Sequence, residues 1–374
     1  MTTPLLICDD SNMARKQVAR SLPDGWDVDI SFATNGQEGI EAIKAGKGDV
    51  LLLDLNMPVM DGYQVLEAIV AQDLPTLVIV ISGDIQPEAH QRVTSLGALD
   101  FIKKPVNKEK LTEILAAYGI YKASGNDTVS VATETAQEKT AKSTVPVAEK
   151  VVLKPVTAST TPINEGIAIN QSPQIEPLEQ DIRDCYQEIA NVAMGQAGDL
   201  LARLLNAFVE LPIPNVNLIE VSELTMALSA IERHESTSGI CQGFIGAGVS
   251  GEALLILNDS SFKDVAALMN YQCEVDEGTE LELLMDLANV LIGACLNGIS
   301  GQLDMPFSQG HPVVLGQHRK VSELIAYNAK RWRRTLAIEI SYSIEGYSVK
   351  CDLLLLFTEE SMKILNNKLA YLLE

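Results

Sequence analysis

The chain is 374 residues long, 47% hydrophobic and 21% charged, with a formal net charge of −22. That length suits two or three domains, and so acidic a surface repels phosphate backbones, which argues against nucleic acid and anionic membranes as partners. Six cysteines without a C-x-x-C pair, and no histidine at metal-finger spacing from them, support neither a disulfide framework nor a zinc site. No apolar run reaches membrane-spanning length, and the acidic start MTTPLLICDD lacks the basic residues of a signal peptide, so a soluble cytoplasmic protein is expected.

Residues 1–121 alternate between short apolar runs and helical patterns. PLLIC (4–8), VDISFA (28–33), DVLLLDL (49–55), LVIVIS (77–82) and LDFIKKP (99–105) read as five strands, with helices between them. Continuous apolar runs ending in acids are what buried parallel strands look like, and strand–helix alternation implies a sheet covered on both faces. Residues 122–176 are rich in Thr, Ala, Ser, Val, Lys and Glu, a composition that cannot offset its ordering entropy, and they read as a flexible linker. Globular patterning returns over 177–374. A long helix covers 178–206, ended by Pro212 and Pro214, and a second covers 280–300. GICQGFIGAG, EALLILN, LAIEISYSIE and VKCDLLLLF alternate as strands, and ESMKILNNKLAYLL closes the chain as an amphipathic helix. The expected fold is an α/β N-terminal domain followed by an α+β domain with an internal duplication.

Chemistry-bearing residues stand at the strand ends of the first domain: Asp9, Asp10, Asp54, Asn56, Ser82 and Lys104. Strand ends of a parallel sheet converge at one edge, where ligands bind. Three carboxylates so close repel one another, and a hard cation such as magnesium relieves the conflict with oxygen ligands. One carboxylate could then act as a nucleophile toward a phosphoryl group, with Lys104 and the Ser82 hydroxyl stabilising the transferred oxygens. In order and spacing, CDDS (8–11), DLNMPVMDG (54–62), ISG (81–83) and FIKKP (101–105) resemble the receiver domain of CheY-type response regulators over residues 1–121. The resemblance implies a five-stranded, flavodoxin-like doubly wound fold with Asp54 as phosphoacceptor. It further implies Mg2+ held by Asp9, Asp10, Asp54 and the Asn56 carbonyl, Ser82 and Lys104 as phosphoryl sensors, a cis Lys104-Pro105 bond, and Phe101 at the aromatic switch position.

A second motif occurs twice. EIANVAMG (188–195) and DLANVLIG (286–293) are offset by 98 residues, and the offset also relates Asp184 to Glu282, Glu188 to Asp286, Asn191 to Asn289, and Pro214 to Pro312. Residues three and four apart share a helix face, so Asp184, Glu188 and Asn191 form one polar stripe, and Glu282, Asp286 and Asn289 another. An amide offers both donor and acceptor and can hold a water in line behind a phosphoryl group, while the acid can pair with a lysine of the substrate. The pattern D-x3-E-x2-N-x22-P resembles the CheC, FliY and CheX family of CheY-phosphate phosphatases over about 180–374. That resemblance implies a CheC-like domain with a pseudo-two-fold repeat, and catalytic residues Glu188, Asn191, Asp286 and Asn289 supported by Asp184, Glu282, Pro214 and Pro312. The second copy departs by having Asp286 where the pattern has Glu. No cofactor is expected in this half beyond the Mg2+ of the receiver.

Together these readings describe a response regulator, phosphorylated by a cognate histidine kinase, whose output is an aspartyl-phosphate phosphatase. A linker of roughly 50 residues spans about 40 Å as a coil, so the chain's own receiver can reach the stripe. A separate phosphorylated CheY is the favoured substrate, because self-hydrolysis alone would leave no obvious output. A CheD-like partner is known for some of the family. The alternative is a receiver-gated, non-catalytic binding module like that of the flagellar switch protein FliM, whose relatives lack the acid–amide stripe.

Overall fold

The computed structural model describes residues 2–121, 178–220, 236–271, 275–320 and 334–373; the linker expected at 122–176 lies outside the described residues. The N-terminal part is a parallel sheet of β1 (Thr3–Cys8), β2 (Val28–Ala33), β3 (Val50–Leu53), β4 (Leu77–Ser82) and β5 (Asp100–Lys103), in the order β2-β1-β3-β4-β5. Side chains alternate across it. Leu5, Ile7, Leu52, Ile79 and Ile81 pack beneath α1 (Asn12–Arg20) and α5 (Lys108–Ala117). Leu6, Cys8, Leu53, Val78 and Val80 pack on the other face, beneath α2 (Gly36–Lys44), α3 (Gly62–Ala71) and α4 (Pro87–Ser95). Burial on both faces is why these strands are apolar throughout rather than every second residue. Side chains of Ser11, Asn35, Asp61 and Asn107 cap their helices, fixing where each strand-to-helix turn ends.

The C-terminal part is α+β. Its helix α6 (Gln180–Leu205) is followed by β6 (Val209–Glu210), β7 (Asn215–Glu220), β8 (Thr237–Gly246) and β9 (Val249–Asn258), then α7 (Phe262–Leu268) and α8 (Glu277–Leu303). Next come β10 (Ser308–Gln309), β11 (Val313–Arg319), β12 (Arg334–Ile344), β13 (Lys350–Thr358) and α9 (Glu359–Leu373). The eight strands form one antiparallel sheet, β10-β8-β9-β13-β12-β6, with β11 also on β8 and β7 also on β12. Helices α6 and α8 lie side by side over one face. A Cβ on Gly298 would stand 2.8 Å from the Ala193 Cα, so the two helices meet backbone to backbone.

Several expectations change. The prolines do not end α6; Asn206 does, in the left-handed conformation at φ 49°, and Asp304 ends α8 the same way at φ 50°. By length and composition α8 could cross a membrane, unlike any run picked out from the sequence, yet it is a core helix of this fold. Strands β6 and β10 have two residues each, too few to carry a periodicity. The five cysteines among the described residues are buried free thiols.

Candidate functional site

The carboxyl ends of β1, β3, β4 and β5 bring the sequence-identified residues to one edge of the parallel sheet. Lys104 Nζ lies 2.8 Å from Asp9 Oδ2 and 3.3 Å from Asp54 Oδ1, all three side chains being almost fully buried. Its peptide to Pro105 is cis. Burial alone pushes the Lys104 ammonium down, but Asp54, Asp9 and Glu188 around it hold it well above the usual lysine range. Burial raises Asp54, and Lys104 offsets only part of the rise. Asp10 is pushed up to about 7, first by burial and then by Asp9 and Asp54.

Ligand oxygens of Asp9, Asp10 and Asp54 lie within 4.8 Å of one another. Apart from the Lys104 ammonium, the buried Asp54 oxygens have little to satisfy them. Three clustered carboxylates with under-satisfied oxygens are the donor set a hard divalent cation takes, so these residues fit magnesium. Asn56 lies three residues past the end of β3, beyond Asp54. Ser82 is fully buried, with its Oγ accepting the Asp84 N–H at 3.2 Å. The Phe101 ring is half-buried and edge-on to His90 at 5.6 Å between centroids.

This edge is covered by α6. Glu188 Oε1 lies 3.2 Å from Lys104 Nζ, making a third carboxylate around one ammonium. Burial raises the Glu188 carboxyl, and Lys104 counters part of that. Asn191 Oδ1 accepts from Asn56 Nδ2 at 3.3 Å. Asp184 accepts from the Met13 N–H at 3.1 Å and from Ser11 Oγ at 3.3 Å, so it caps the first turn of α1 from outside. Between the two parts is a cavity of about 10 Å³ lined by Asp10, Asn56, Glu188, Asn191 and Pro214, the size of one water. The first stripe and its proline therefore meet the carboxylate cluster directly.

Residues that sequence reasoning did not single out complete the contact. A Cβ on Gly195 would stand 1.9 Å from the Gly83 carbonyl oxygen, so only glycine lets the β4–α4 turn approach the helix this closely. The Gln86 side chain, fully buried, donates to the Val209 carbonyl at 2.8 Å and accepts from the Val209 N–H at 2.9 Å, pairing with the edge strand β6 as a further strand would. Arg92 lies 4.0 Å above the Phe208 ring and forms an ion pair with Glu345. Only Gly195 left a trace in the sequence, as the repeated glycine of EIANVAMG and DLANVLIG.

The second stripe is on α8 and is not brought to the cluster. Glu282 and Asn289 are exposed, and Asp286 and Pro312 are half-buried. A Cβ on Gly293 would have nothing within 4 Å among the described residues.

This arrangement of acids, lysine and doubly wound parallel sheet defines a receiver. Residues 5–116 match the model of the response regulator receiver domain family. The chemotaxis protein CheY of Treponema pallidum is 34% identical over 116 residues, which are 30% of this chain and 80% of that one. A protein-glutamate methylesterase/protein-glutamine glutaminase of Geobacter sulfurreducens is 42% identical over 112 residues. The match spans 30% of that protein, and 39% and 29% of two further methylesterases. Through its N-terminal domain the chain belongs to the response regulator receiver family. Among solved structures, the receiver domain of NarL from Mycobacterium tuberculosis aligns with 31% of this chain and 93% of that one, at 35% identity and a TM-score of 0.29. The structure of Thermotoga maritima FliY aligns with 52% of this chain and 98% of that one, at 16% identity and a TM-score of 0.38.

Proposed function

We propose that the chain is a two-component response regulator, phosphorylated on Asp54, whose C-terminal region hydrolyses the aspartyl phosphate of a docked receiver, and that its own receiver is one such substrate. The observation that carries this reading is the grip of one stripe on one active site: Glu188 on Lys104 at 3.2 Å and Asn191 on Asn56 at 3.3 Å, around a water-sized cavity. Glu188 anchors the lysine and so sets the docking angle. The Asn191 amide oxygen accepts a hydrogen bond from a water held in the cavity and so aims the water's lone pair at phosphorus. The new bond forms between the water oxygen and phosphorus as the bond to the Asp54 oxygen breaks. Asp54 leaves as a carboxylate, and the water's protons depart with inorganic phosphate. Asp9, Asp10, Asp54 and the Asn56 carbonyl would hold magnesium, which when bound balances the charge of the phosphoryl oxygens. Positioning of this kind is most of what phosphoryl transfer requires.

Sequence reasoning favours a separate CheY as substrate, whereas the docked arrangement supports the tethered receiver, whose effective concentration is high. The matched left-handed ends at Asn206 and Asp304, together with a sheet order that repeats outward from β9 and β13, support reading the C-terminal region as a CheC-like duplication. A histidine kinase is the natural phosphodonor. The test is the lifetime of phosphate on Asp54 in the full-length chain labelled with acetyl phosphate. Asn191→Ala is expected to lengthen it by about a hundredfold. An unchanged lifetime in a folded variant would overturn the water-positioning role and leave the FliM-like binding module. Persistent labelling of Asp54→Ala would show that the phosphoacceptor is another residue.

A further inference from the structure

We propose that the two stripes serve different receivers: the α6 stripe is reserved for the chain's own, and the α8 stripe docks the phosphorylated receiver of a separate protein. This rests on the phosphatase reading for what happens after docking, but the docking argument stands on geometry alone. The 98-residue offset carries the helix face, the glycine and the short edge strand of the first contact onto the second. Glycine is required at Gly195 because the Gly83 carbonyl presses on it, and a Cβ on the counterpart Gly293 would meet nothing within 4 Å among the described residues. The edge strand β6, which Gln86 pairs with, has its counterpart in β10, set on β8 as β6 is set on β12. A second receiver thus finds the same helix face, the same glycine clearance and the same short edge strand.

The rim shows that this second receiver is not another copy of the first. Arg92 docks onto Phe208 and Glu345; at the offset positions stand Pro306 and Ala247, which offer neither a ring nor a charge. Asn215 and Ser343 become Val313 and Ile245, which are 60% and 63% exposed, and Asp199 becomes Asn297. These polar and anionic positions have turned apolar or neutral at the offset, and Val313 and Ile245 stand exposed on the second copy. The acids have also exchanged lengths. The first stripe has the short Asp184 for the α1 turn and the long Glu188 for Lys104, whereas the second has the long Glu282 and the short Asp286. A receiver seated as on α6 would be crowded at one acid and out of reach of the other. The fitting partner is tilted toward Asp286, and presents an apolar surface where this chain's receiver presents Arg92.

The experiment measures binding of the full-length chain to each single-domain CheY-type receiver of the same genome, held in its active form with beryllium fluoride, which no phosphatase can hydrolyse. At least one is expected to bind, and Gly293→Leu, or independently Val313→Glu, to weaken it tenfold or more. In parallel, with phosphate-labelled receivers, the ratio of intermolecular to intramolecular dephosphorylation is expected to fall tenfold in Gly293→Leu and to rise in Gly195→Leu. No binding across the panel, or binding insensitive to both α8-stripe variants, overturns the proposal while leaving the self-directed phosphatase standing. Binding sensitive to those variants without hydrolysis keeps the dock and removes the phosphatase.

Discussion

The α6 and α8 stripes carry the same residue types at the same spacing and stand in opposite surroundings. Around Glu188 and Asn191 everything is buried: three carboxylates share one lysine, an amide meets an amide, and two backbones touch at Gly83 and Gly195. Asn289 is exposed and Asp286 only half-buried, with no receiver group against them among the described residues. The acid and the amide do not by themselves decide which copy holds the receiver. The difference lies in the side-chain lengths at the two acid positions and in groups outside the motif, Phe208 and Glu345. The acid–amide spacing is therefore duplicated while its surroundings differ.

The largest expected effect that would break the comparison is in the rate. If the α6 stripe is the one that works on Asp54, Asn191→Ala lengthens the phosphate lifetime there about a hundredfold, some fifty times more than Asn289→Ala, measured by loss of label from the full-length chain. Equal effects would mean that the two stripes exchange receivers freely. Next comes cohesion. Gly195→Leu places side-chain atoms inside the Gly83 carbonyl, so the receiver should detach and calorimetry should resolve two melting transitions, whereas Gly293→Leu should retain the wild-type profile.

A subtler effect separates the copies by pH. Asp84, on the turn that meets α6, is raised to about 6, first by burial and further by Asp199, against hydrogen bonds from Gln86 and the charge of Arg92. A carboxyl raised on folding favours the folded state when protonated. Its contribution is full below about 4 and is lost as pH rises through about 6. Asp84→Asn should flatten that slope and add about 2 kcal/mol at pH 7.5, read from urea unfolding at pH 5 and 7.5. The smallest effect sharpens the rim argument. Arg92→Ala removes a half-exposed ion pair and a ring contact and should cost about 1 kcal/mol, visible as a modest rise in the detached fraction.

How much of this was legible in the sequence follows from where each interaction is encoded. The receiver strands announced themselves because both faces are covered, and its site residues because each ends a strand. The stripes were legible because helical spacing and a fixed offset are local facts. Their encounter with the receiver was not. Gln86 recognises the main chain of Val209, 123 residues away, and a main chain has no letter in a sequence. Gly195 was visible as a repeated glycine, but its use needs the Gly83 carbonyl beside it. The end of α6 was read to within one residue, but its cause was credited to the conspicuous Pro212 and Pro214, whereas Asn206 stops the helix by adopting a backbone conformation few residues other than glycine and asparagine adopt readily.

The burial of Asp54 has a kinetic corollary. With its side chain 1% exposed beneath α6, no donor can reach it while the receiver is seated. If Asp54 is the phosphoacceptor, phosphate enters only during the fraction of time spent released, and the observed loading rate is the intrinsic one scaled by that fraction. A released fraction of about one in a hundred slows loading about a hundredfold. On the proposed phosphatase reading, the contact that shortens the life of the signal also sets how often it starts, and a variant that loosens it is expected to load faster and unload more slowly at once.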